Sequence, residues 1–188
     1  MFLKFCARTV LIGNPRDIDS FIHDLKKHCF SAIIAVNTQY RALLDAPGFA
    51  DVDKRAPKLA SAGGMAVQRV VAERWKQATG VPIIEGYGLT ETSPVAISNP
   101  LNIVNRTGNI GMPVPSTEAV VLNDNDRPLA VGEAGEICVR GPQVMAGLLT
   151  APGRNRQGLR ARRLAAHRRA WALWTNAAAS GSQTARRT

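Results

Sequence analysis

Apolar residues fall along the first half of the chain in two alternating rhythms. Ile18, Phe21, Ile22 and Leu25 follow the i, i+3, i+4, i+7 spacing that lays one stripe of a helix on a core. Asn14-Pro15 opens a turn before them, and Asp17 or Asp19 can accept from the first free amides of that helix. Ser31–Val36 (SAIIAV) reads as a short apolar strand, Thr38–Leu44 as a helix, and Lys58–Ala62 (KLASA) as a second strand ending in Gly63-Gly64. Ala66–Thr79 is helical in composition and stops at Gly80, which can close a helix in the left-handed conformation. Val81–Glu85 (VPIIE) makes a third strand. Strands separated by helices predict an α/β fold built on a partial, doubly wound parallel sheet.

The pattern changes after Pro94. Glu118–Leu122 (EAVVL) and Glu136–Arg140 (EICVR) read as strands, with turn residues NDNDRP between them. They predict part of a small β subdomain packed beside the first piece. Three segments result: a partial α/β domain over 1–94, a β-rich subdomain of the same domain over 95–152, and an Arg/Ala-rich tail over 153–188. Three parallel strands near the start leave a sheet edge that intact proteins cover, so both pieces are expected to be parts of a larger body, and the chain alone poorly soluble.

Charge sharpens the boundary of the tail. The net charge is +10, yet all 14 acidic residues and 15 of the 24 Lys and Arg precede Gly153. Nine arginines follow, with no Lys and no acid. A uniformly basic nucleic-acid binder does not divide in this way. No apolar run is long enough to cross a bilayer, and the opening MFLKFCARTVLI lacks the small-residue cleavage site of a signal peptide. Cys6, Cys29 and Cys138 are widely spaced and read as free thiols in a reducing cytoplasm. His23, His28 and His167 are not at metal-ligand spacing.

Ligands of open α/β sheets bind beyond the carboxyl ends of the strands. Two stretches are expected there as loops: SAGGM (Ser61–Met65) and EGYGLTETSP (Glu85–Pro94). Gly63 and Gly64 let backbone approach a flat or charged ligand. Gly86 and Gly88 flank Tyr87, and Thr90 and Glu91 follow, so an aromatic face, a hydroxyl and a carboxylate lie within a few residues. Adenine, phosphate and Mg2+ each have a suitable partner in that set. A glycine-rich turn with Tyr87 packed for structural reasons accounts for the same residues, and composition alone favours it.

The order of the residues shifts that balance. YGLTETSP closely resembles the YGxTE motif of the adenylate-forming superfamily, which includes acyl-CoA synthetases, luciferases and peptide-synthetase adenylation domains. GNPRDI, AVNTQYRALL, SAGGMAVQRVVAERW, GNIGMPVPSTEA and GEICVRGPQVMAGL stand along the chain in the family's order and resemble its long-chain fatty-acid–CoA ligase branch. The resemblance runs over nearly all of Thr9–Pro152.

It implies that Tyr87 stacks on adenine, with Gly63, Gly64, Gly86 and Gly88 lining the same pocket. It further implies that Thr90 contacts the α-phosphate, that Glu91 holds Mg2+ on the ATP phosphates, and that Val36, Asn37, Thr38 and Met65 lie near the acyl tunnel. The family's reaction joins a carboxylate to AMP, releases pyrophosphate and passes the acyl group to CoA. Fatty acid, ATP and CoA are thus the implied partners, and no nucleic acid is expected. Peripheral membrane association of the intact enzyme and a complementing chain remain open.

The family's phosphate loop of the TSGTTGxPKG kind, its TGD aspartate, its hinge DRxK segment and its lid lysine are not found in these residues. The chain alone is therefore expected to be inactive; a non-catalytic nucleotide- or acyl-binding partner and an Arg-rich nucleic-acid binder are the alternatives. The tail itself can be a basic arm, an ordinary disordered tail or a stretch translated out of frame. Codons for Gly153–Arg169 can be chosen so that dropping the first base yields DETAKVFAPDGWLRTGD, which resembles what the family places there, TGD included. A second slip at Ala170 recovers a hinge-like MGVMDERGCVRIADRKKD. The expectation is two frameshifts, which sequencing of the coding DNA decides.

Overall fold

The computed structural model describes residues 6–101, 108–147 and 172–173. They form two compact units that divide between Ile84 and Glu85. The Arg-rich tail and its proposed frameshifts lie outside the described residues, apart from Ala172–Leu173, a two-residue strand. Among the described residues no helix is long and apolar enough to cross a membrane.

The first unit alternates helix and strand. Helix α1 (Ile18–Lys27) begins where the Asp17 carboxylate accepts from the Ser20 amide at 3.1 Å. Its buried face is Phe21, Ile22 and Leu25, with Ile18 partly covered, as the spacing predicts. Strand β1 (Ala32–Ala35) and strand β2 (Leu59–Ala62) pair in parallel, Ala32 opposite Leu59 through Ala35 opposite Ala62. Helix α2 (Asn37–Asp45) follows β1, and helix α3 (Arg69–Thr79) follows β2. Gly80, at φ 75°, ends α3 in the left-handed conformation. The order β1-α2-β2-α3 is that of an α/β fold.

Three aromatic rings fill the space under β1 and β2. Tyr40 meets Trp75 edge-on, with ring centres 4.7 Å apart, and Phe49 stacks on Trp75 at 5.5 Å. The Tyr40 hydroxyl reaches the backbone of both strands, 2.8 Å from the Ser61 carbonyl oxygen and 3.3 Å from that of Ile33. One side chain of α2 thus fixes the carboxyl end of β2 against β1. Arg74 Nη1 joins α3 to α2 through Asp45 Oδ1 at 2.8 Å, an exposed pair that adds little stability.

Strand β3 (Ile83–Gly88) carries the chain across the boundary; Ile83 packs in the first core. In the second unit β3 pairs antiparallel with β4 (Val95–Ser98), which pairs with β5 (Met112–Pro113). Strands β6 (Glu118–Leu122) and β7 (Glu136–Arg140) form a hairpin, and β8 (Ala172–Leu173) adds to β7. Asn123 shapes the hairpin turn: its side-chain oxygen accepts from the amides of Asn125 and Arg127, each at 3.0 Å.

Two differences from the sequence reading come from β4. The units divide after Ile84, whereas the sequence pattern changes after Pro94, because β4 pairs with Gly86–Gly88 and draws them into the second unit. For the same reason Gly86–Gly88 is strand rather than loop. The doubly wound parallel arrangement is accordingly joined by antiparallel strands, giving a mixed α/β architecture.

Candidate functional site

Val36, Asn37, Thr38, Gly63, Gly64 and Met65 stand in the first unit at the carboxyl ends of β1 and β2. The Val36 amide donates to Gln39 Oε1 at 3.0 Å, which opens α2. Asn37 is buried, and its Oδ1 accepts from the Gln68 amide at 2.9 Å. Thr38 is exposed, and Met65 is 51% exposed on the loop that joins β2 to α3. Gly64 has φ 80°, a conformation glycine adopts without cost, and a Cβ there would lie 3.8 Å from Val36 Cγ1. The structure thus brings Val36 and Gly64 together and gives Asn37 a structural partner.

Gly86, Tyr87, Gly88, Thr90 and Glu91 stand in the second unit. Gly88 is required by packing: a Cβ there would lie 1.8 Å from the Pro94 carbonyl oxygen. Gly86 is less tight, at 3.3 Å from the Ile97 carbonyl oxygen. Both glycines bring β4 close to β3, a reason for their presence that is independent of any ligand. The pairing slips between Tyr87 and Gly88, and the chain then turns through a short 3-10 segment, Thr90–Thr92.

Thr92 holds that turn. It is fully buried, and its hydroxyl accepts from the Leu89 amide at 2.9 Å and lies 2.8 Å from the Pro94 carbonyl oxygen. Glu91 is anchored through its backbone, whose carbonyl accepts from the Met145 amide at 2.9 Å, while Thr90 is exposed. Thr92 was not singled out from the sequence; its place inside the motif was the available signal. Glu85 and Asn99 were also passed over. The buried Glu85 carboxylate accepts from the Gly108 amide at 2.7 Å, and the Asn99 amide donates to the Glu85 carbonyl at 3.1 Å.

Tyr87 packs beside Ala96, Ile97 and Val139. Its hydroxyl oxygen is buried and finds no hydrogen-bond partner among the described residues. Burial, then the nearby Cys138, Glu136 and Glu91, push that hydroxyl up from 10.0 to about 12. A buried polar atom without a partner costs free energy, and a bound polar ligand or water relieves the cost. Among the described residues no three His, Cys, Asp or Glu gather to hold a metal ion. Glu91 beside Thr90 still fits Mg2+ of the kind that takes one carboxylate and completes its shell with water and substrate phosphates.

The family model described as AMP-binding enzyme matches residues 1–149. The chain belongs to the AMP-binding enzyme family. Within this family it is similar to the long-chain-fatty-acid–CoA ligase of Haemophilus influenzae, with 47% identity over 152 residues. That match covers 81% of this chain and 27% of the relative, so the chain spans about a quarter of the relative's length. Among solved structures it is similar to the anthranilate CoA ligase AuaEII in complex with anthranoyl-AMP, at 25% identity and a TM-score of 0.79. That alignment covers 89% of this chain and 31% of the other. A benzoate CoA ligase from Burkholderia xenovorans LB400 aligns at 26% identity and a TM-score of 0.76, over 84% of this chain and 32% of its own. These adenylate-forming folds accord with the mixed α/β architecture described above.

Proposed function

We propose that this chain is part of a fatty-acid–CoA ligase and carries nucleotide-contacting residues of its adenylation reaction. One observation carries the reading: the chain is 47% identical to a long-chain-fatty-acid–CoA ligase over 152 residues, and the AMP-binding match over residues 1–149 includes YGLTETSP. In this reading Tyr87 offers its ring to adenine; in the first unit, Gly63 and Gly64 leave the backbone free of side chains beyond the carboxyl end of β2. Thr90 donates its hydroxyl to the α-phosphate, where charge builds as the acyl carboxylate attacks. Glu91 holds Mg2+, which when bound offsets phosphate charge. Val36, Thr38 and Met65 lie toward the acyl chain. Asn37 is taken up below.

These 188 residues are proposed to bind nucleotide without completing adenylation or transfer to CoA, since they correspond to about a quarter of the relatives' length. The three free thiols suit a cytoplasmic setting. Acyl-dependent ATP–pyrophosphate exchange on the purified chain, run beside AMP binding and DNA retention, tests the reading. AMP binding without exchange is expected. Sustained exchange refutes the absence of catalysis, and tight, salt-sensitive DNA binding without AMP binding refutes the nucleotide assignment.

A further inference from the structure

The loop from Gly63 to Gln68 holds Gly63-Gly64 and has no regular structure of its own. Its start is fixed by β2, where the Tyr40 hydroxyl bonds the Ser61 carbonyl at 2.8 Å. At its far end the Gln68 amide precedes the first turn of α3 and donates to Asn37 Oδ1 at 2.9 Å. Asn37 is the first residue of α2 and is 4% exposed, so water does not compete well for its oxygen. Tyr40, which fixes the start, belongs to the same helix. Two side chains of α2 therefore hold the loop at both ends.

We infer that Asn37 is a positioning residue that sets the shape of the Gly63–Gln68 loop, rather than a residue lining the acyl tunnel. Its burial and its partner both direct it to the loop backbone. The bond ties the start of α2, where Val36 and Thr38 stand, to the loop that carries the two glycines. A displacement of α2 by an acyl group is thereby passed to the loop through one hydrogen bond. The functional part rests on the assignment of Gly63-Gly64 to the nucleotide.

The test uses the 188-residue chain and follows hydrogen–deuterium exchange across Gly63–Gln68, with AMP binding measured in parallel by equilibrium dialysis. Asn37→Ala removes the acceptor, whereas Asn37→Asp keeps it. Gln68→Pro removes the donor and sets its ring where the amide hydrogen met Asn37 Oδ1; Gln68 already has φ −67°, which suits proline, so this variant breaks the bond from the other side if Asn37→Ala fails to fold. Faster loop exchange is expected in Asn37→Ala and Gln68→Pro but not in Asn37→Asp. AMP binding should weaken about three- to tenfold in the same two variants. Unchanged loop exchange in the folded variants overturns the inference, as does faster exchange with unchanged AMP affinity. Faster exchange in a chain whose parent binds no AMP demonstrates the positioning and refutes the nucleotide assignment instead.

Discussion

The Thr92 hydroxyl lies 2.9 Å from the Leu89 amide nitrogen, inside a side chain that solvent does not reach. This bond closes the turn on which Thr90 and Glu91 sit. The two candidate ligand residues are partly or fully exposed, and Thr92, the next residue in the same turn, holds them in place.

Replacing that hydroxyl tests its weight. Thr92→Val keeps the shape and strands the Leu89 amide, which should lower stability by about 1–3 kcal/mol. Thr92→Ser keeps the bond and should recover most of the loss. Thermal melts of the three proteins read the difference.

The glycines of the motif should not respond alike. Gly88→Ala sets a Cβ against the Pro94 carbonyl oxygen at 1.8 Å, so the β3–β4 pair must open and the second unit should fail to fold stably. Gly86→Ala meets the Ile97 carbonyl oxygen at 3.3 Å and should be far milder. At Gly80 nothing lies within 4 Å, and Gly80→Ala should cost only the left-handed backbone, roughly 1–2 kcal/mol. Circular dichroism and melts rank the three.

Alkaline pH should destabilise the fold through Tyr87. Folding raises its hydroxyl from 10.0 to about 12, so the folded chain holds this proton more tightly than the unfolded one. The contribution is complete below about pH 10 and is lost as pH rises toward about 12. Tyr40 shifts in the same direction, chiefly through burial. Near-ultraviolet titration should find both tyrosines still protonated in the folded chain where free tyrosine is half ionised. Tyr87→Phe removes an orphaned hydroxyl and should leave stability unchanged or higher while reducing the alkaline loss.

Much of this architecture was legible from local pattern. The spacing of Phe21, Ile22 and Leu25, the short apolar runs before α2 and α3, and the glycine stop at Gly80 depend on neighbours in sequence. Strand β4 was not, because four residues, only two of them buried, carry too little periodicity after a proline. Without β4 as a partner, Gly86–Gly88 reads as a loop. The site divides along the same line. YGLTETSP drew attention to Tyr87, Thr90 and Glu91, whose chemistry is visible in their residue types. The roles of Thr92, Glu85 and Asn37 come from partners fixed by turn geometry or tertiary contact, and no spacing rule announces them.

The residues of YGLTETSP are proposed to bind a metal-complexed nucleotide in this chain. Equilibrium dialysis of ATP with and without Mg2+, on the parent chain and on Glu91→Gln, tests it most directly. Mg2+ is expected to strengthen ATP binding to the parent, and Glu91→Gln to lose most of that gain while AMP still binds. An absence of ATP binding, or the same Mg2+ response in both proteins, would contradict it.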